Sequence, residues 1–178
     1  MMQSKWDLIA LIATGCVLVT SALVGGDEAR AEPLRVTVAV STALTDETLL
    51  SLSRQSQALS ARLVVKGLPL TDEEKATLIS RGHFALPHEI QTENRALVRA
   101  GFSRLASYAQ KGIVLTVDPV FFRERAIAFV PTVVFALEGR EVRLTGFTNL
   151  KNAARYGAKK TDDVAMKNAL LTFAGDAP

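Results

Sequence analysis

The sequence predicts an α/β fold with a mixed sheet and extra helices in its middle. Three observations carry this. Two β-branched runs enclose one helical pattern early in the chain, two more runs meet at a tight turn near its end, and the stretch between is helical in period. Length and composition agree, because 178 residues with 48% hydrophobic and 22% charged residues suit one globular domain and a short extension.

Each element has its own signal. Leu34 to Val40 alternates with period two and is β-branched, which predicts a strand. Thr45 before Asp46, Glu47 and Thr48 reads as a helix N-cap with acids in the first turn, and Leu49, Leu52, Ser56 and Leu59 follow at helical spacing. Leu63, Val64 and Val65, closed by Gly67 and Pro69, predict a short buried strand, and two strands joined by one helix make a right-handed, hence parallel, βαβ unit. Thr71 to Glu74 is a capping box. Gly82 and Pro87 interrupt the helical stretch, and a longer helix is predicted from about Glu89 to Gln110, with Ile90, Leu97, Gly101, Leu105 and Tyr108 on one stripe.

Gly112 ends that helix, Ile113 to Val117 is again strand-like, and Asp118-Pro119 opens a turn or short helix carrying Phe121 and Phe122. Val130 to Leu137 predicts a strand headed by a proline. Glu138-Gly139-Arg140 is a hairpin turn into Glu141 to Gly146, so the last two strands are antiparallel. Helical patterns from Leu150 to Tyr156 and from Asp162 to Phe173 complete the chain.

The N-terminal residues differ in kind. Lys5 precedes an uncharged run from Leu8 to Gly26, close to the roughly 20 apolar residues that span a bilayer. The run is diluted by Thr20, Ser21, Gly25 and Gly26 and is followed by Ala29-Arg30-Ala31, which together predict a secretory signal peptide over residues 1–31, with an uncleaved anchor as the competing reading. The domain is then 32–178, with a helical insertion at about 68–112. Cys16, after Ala13-Thr14-Gly15, loosely resembles a lipoprotein acceptor, but Val17, Leu18 and Val19 continue the apolar run. One cysteine excludes an internal disulfide and a Cys-x-x-Cys pair. Of the 21 basic and 18 acidic residues, Lys5, Arg30, Asp7, Asp27 and Glu28 fall in the leader, leaving 19 against 15 and a net charge of +4.

The element order is that of a thioredoxin-like sandwich: a βαβ unit, a helical insertion, then a β-hairpin and helix. Pro131 at the head of a strand cannot donate to a ladder, and in this order it is expected to follow a cis peptide. Four segments also resemble the F-type conjugative pilus assembly protein family TrbC: Val38-Ala39-Val40-Ser41, Leu63 to Leu68, Val117-Asp118-Pro119-Val120-Phe121, and Val130-Pro131-Thr132-Val133-Val134. Gly146 to Ala154 fits the family's ending. The likeness spans about Val36 to Ala154. Lys66 departs from the arginine expected there, keeping the charge but not the bidentate geometry.

The resemblance implies a non-catalytic periplasmic component of a type IV secretion apparatus, acting in pilus assembly beside a TraW-like protein. It implies no cofactor. The residues agree, because the redox cysteines of a thioredoxin would lie near Ser41-Thr42-Ala43-Leu44, where only hydroxyl and apolar residues stand. The expected partner site is the main chain around Val130, Pro131 and Thr132, used by β-augmentation, with Ser41 and Thr42 on the opposite wall. The inserted helices are a second candidate surface. The alternative is a chaperone or hydrolytic enzyme of the same fold outside conjugation, which would need a base near Ser41 or Thr42.

The remaining candidates read as structural. His83 and His88, near Glu89 and Glu93, lack the spacing of a metal site, and Asp118 is expected as a turn former. Arg95, Arg99, Arg104, Arg123, Arg125, Lys159 and Lys160 are dispersed, with no aromatic row between them to stack bases, so direct nucleic-acid contact is not expected. The inner membrane would be touched only through an uncleaved leader.

Overall fold

A computed structural model describes residues 32–81 and 87–177, the side chains of 77–81 and 87–94 excepted. The elements run β1 (Arg35–Val40), α1 (Asp46–Ala58), β2 (Arg62–Val65), α2 (Asp72–Arg81), α3 (Pro87–Gln110), β3 (Thr116–Val117), α4 (Pro119–Glu124), β4 (Thr132–Leu137), β5 (Arg140–Thr145), α5 (Leu150–Lys160) and α6 (Val164–Ala174). The five strands form one mixed sheet in the order β3-β2-β1-β4-β5. β1 is parallel to β2 and β2 to β3, whereas β4 is antiparallel to both β1 and β5.

Alternation along the strands produces two unlike faces. One face gathers Val36, Val38 and Val40 of β1, Leu63 and Val65 of β2, Val133, Phe135 and Leu137 of β4 and Leu144 of β5 into the main core. That core is closed by Leu49 and Leu52 of α1, Leu150, Ala153, Ala154 and Ala158 of α5, and Met166, Leu170 and Ala174 of α6. Gly157 lies inside α5 without ending it. A Cβ there would stand 3.3 Å from Leu170 Cδ1 and 3.3 Å from Val142 Cγ1, so glycine lets the helix lie close on the sheet. The other face carries the smaller Ala39, Val64 and Val134, covered by Phe121 and Phe122 of the short α4.

The caps explain several boundaries. Thr45, Asp118, Asn149 and Asp163 each accept a first-turn N–H with their side chains. α3 begins at Pro87, two residues before the predicted start, because proline is suited to the first helical position. α5 runs on past Tyr156 to Lys160, and its last turn holds Lys159 and Lys160, a favourable charge for that end.

The clearest difference from expectation is β3, which pairs only at Thr116 and Val117 rather than from Ile113. The Ile113 N–H donates back to Tyr108 C=O at 2.9 Å, and the Val114 N–H donates to Ser53 Oγ at 3.0 Å. The same Ser53 hydroxyl donates to Gly112 C=O at 3.0 Å. The backbone groups that would have extended the strand are thus taken by α3 and α1. No described helix is long and apolar enough to cross a membrane.

Candidate partner-binding site

Pairing register determines which sequence candidates meet. Ala39 faces Thr132, so Ser41 and Thr42, just past the end of β1, and Val130 and Pro131, just before β4, lie at the same end of the sheet. The Val130–Pro131 peptide bond is cis. Pro131 C=O accepts from Gly146 N–H at 2.8 Å. Thr132 is only 5% exposed; its hydroxyl donates to Phe129 C=O at 2.6 Å and lies 3.1 Å from Thr145 Oγ1. Thr132 is therefore a brace between the loop and β5.

Because β4 lies between β1 and β5, an added strand cannot run along it. The surface at this end includes the loop ahead of Thr132, where Val130 is half-buried and Phe129 is 74% exposed. Phe129 was not among the sequence candidates. It has no periodic partner, and only the fold shows that this aromatic stands in water beside the proline.

Ser41 and Thr42 are half-buried. Ser41 Oγ accepts from Ala43 N–H at 3.1 Å and Ser41 C=O accepts from Leu44 N–H at 3.1 Å, so this serine shapes the turn into α1. Among the described residues no hydrogen bond joins either hydroxyl to a basic side chain, the arrangement a serine or threonine nucleophile requires. His83 lies outside the described residues, as do the side chains of His88, Glu89 and Glu93. Among the described residues no group of three His, Cys, Asp or Glu could hold a metal ion.

The charged residues are mostly committed to one another. Asp118 accepts from Phe121 N–H and from Arg62, each at 2.9 Å, and these bonds hold its carboxyl below the ordinary value despite burial. Glu141 accepts from Arg125 Nε at 2.8 Å and Arg143 Nη2 at 2.8 Å. Burial opposes its ionisation, but the two guanidinium groups outweigh that and lower its pKa. Arg125 also lies over the Phe121 ring, 4.5 Å from its centre. Between α4 and this network is a groove of about 750 Å³ on the thinly covered face, lined by Arg35, Thr37, Arg62, Val134 and Ala136 among others.

The inserted helices are held to one another, and to the segment that leads into them, through a few specific contacts. Arg104 donates to both oxygens of Glu74, at 2.6 and 2.8 Å, and to Pro69 C=O at 2.9 Å. Arg104 and the Thr71 N–H bring Glu74 down to a pKa of about 2. Gly101 packs on Leu68 so closely that a Cβ would lie 2.8 Å from Leu68 Cβ. One turn apart on α3, Val98 and Phe102 remain exposed, Phe102 at 59%.

The family described as "Type-F conjugative transfer system pilin assembly protein" matches residues 38–173, about three quarters of the chain. No curated protein and no solved structure matches it.

Proposed function

Since the chain belongs to the type-F conjugative transfer pilin assembly family, TrbC, we propose that it serves pilus assembly as a non-catalytic periplasmic adaptor that binds other assembly proteins, a TraW-like protein among them. Membership carries the reading; two structural features support the adaptor role. Where a thioredoxin would hold its thiols, Ser41 commits its hydroxyl to the turn into α1 and, among the described residues, neither it nor Thr42 is hydrogen-bonded to a basic side chain, and the neighbouring loop presents a large aromatic to solvent. Aromatic side chains, phenylalanine among them, are enriched in the cores of protein interfaces.

Within this proposal the fold is thioredoxin-like. Supporting it are the central β1, flanked by a parallel β2 and an antiparallel β4, and the closing hairpin and helices. The first contact surface is Phe129, Val130 and Pro131, with Ser41 and Thr42 alongside and Thr132 fixing the loop from below. The second is the exposed Val98 and Phe102 on α3.

Co-purification of the protein with a TraW-like partner tests the reading directly. Phe129→Ser leaves the fold intact, because the ring is mostly in water, and is expected to reduce both capture and pilus formation. Wild-type capture by Phe129→Ser and by Pro131→Ala, with normal pili, would remove the loop from the site. Hydrolysis of a peptide or ester that Ser41→Ala abolishes would favour the enzyme instead.

A further inference from the structure

We propose that β5 pairs with β5 of a second copy, antiparallel about a two-fold axis, joining two five-stranded sheets into one of ten strands. Among the described residues, β5 is the long free edge of the sheet. It has six residues and β4 on one side only, whereas the opposite edge, β3, has two residues. An exposed edge strand offers unpaired N–H and C=O groups to another strand.

The turn determines which groups these are. Glu138 and Gly139 have φ of 49° and 78°, the signature of a two-residue type I′ hairpin closed by the Leu137 and Arg140 pair. That closing pair is hydrogen-bonded, so by alternation Arg140, Val142 and Leu144 direct their backbone groups to β4. Glu141, Arg143 and Thr145 direct theirs outward.

A two-fold pair must match outward groups with outward groups, and only two registers then overlap by as many as five residues. In one, Arg143 faces Arg143 of the second copy, and directly opposed like charges are destabilising. In the other, Val142 lies on the axis and faces itself, and Glu141 faces Arg143 of the second copy on both sides. This second register makes four main-chain hydrogen bonds and two opposite-charge pairs. It asks little rearrangement of the side chains, because Glu141 and Arg143 already share the groove face and Arg125 still holds the carboxylate. Charges on an edge strand usually prevent pairing; two opposite charges placed two residues apart instead make this edge complementary to itself.

Cross-linking and sedimentation of the full-length protein test the register. In a Cys16→Ser background, Val142→Cys is expected to form a disulfide dimer on oxidation, because residues on the axis form a close non-hydrogen-bonded pair. Thr145→Cys is expected to form none. Arg143→Glu alone and Glu141→Arg alone should each weaken association by about tenfold or more, while an equimolar mixture of the two restores a heterodimer with both charge pairs satisfied. The proposal fails if wild-type protein sediments as a monomer and Val142→Cys does not cross-link, or if both reversals dimerise as well as wild type. It also fails if β5 variants lose only a different assembly protein from an otherwise monomeric chain.

Discussion

The two faces of the sheet are built from the same strands and do different work. The face under α1, α5 and α6 is made of Val, Leu and Phe side chains that meet three helices, and its strand residues Val38, Val133 and Phe135 have no exposure at all. The opposite face alternates in small and charged residues, is covered by one six-residue helix, and keeps a groove. The difference teaches where this domain keeps its stability and where it has room to make contacts.

Substitution should break that contrast most sharply at Phe135, which packs edge-on against Phe173 at 5.6 Å. Phe135→Ala is expected to cost about 3–5 kcal/mol in denaturant unfolding, and Phe121→Ala on the other face distinctly less, because its site borders the groove and can relax. Next in size is Gly157→Val, which drives methyl groups into Leu170, Val142 and Leu144 and should cost about 1–3 kcal/mol. A variant as stable as wild type would mean that the closed face is looser than its contacts imply.

Acid should act on the charged face. The folded pKa of Glu141 lies below its ordinary value of 4.5, so its contribution is full above that value and is lost as pH falls through the lower folded one. The stability gap between wild type and Glu141→Gln should therefore be widest near neutrality and close on acidification. A gap that stays constant from pH 7 down to pH 3 would count against the network. The smallest effect is expected for Thr37→Val on the groove lining, within about 0.5 kcal/mol by thermal unfolding.

Much of this contrast was legible in the sequence. The period of Val36, Val38 and Val40, the capping residues Thr45 and Asp118, and the Glu138-Gly139 turn are local signals, and each produces its element. What escaped depends on groups far apart in the chain. β3 is short because Ser53, 61 residues before Val114, takes its amide. β4 is interior because β5 folds back beside it, which moves the free edge away from Pro131. Phe129 stands out only once its surroundings are known to be water. The candidate residues at the end of the sheet were legible as a group because the βαβ unit and the hairpin bring them there. Their burial was not, since it depends on Thr132 reaching Phe129 and Thr145.

The central place of β1 bears on how the chain comes to be folded. Ala39 pairs with Thr132, 93 positions later, so as the polypeptide emerges β1 acquires β2 on one side and then waits for most of the domain to follow. Until the hairpin arrives, the side of β1 that β4 will occupy remains an open template beside Val36, Val38 and Val40. Long-range pairing of this kind is slow and exposed to aggregation, which makes the interval between the synthesis of β2 and that of β4 the period when the nascent chain most needs protection.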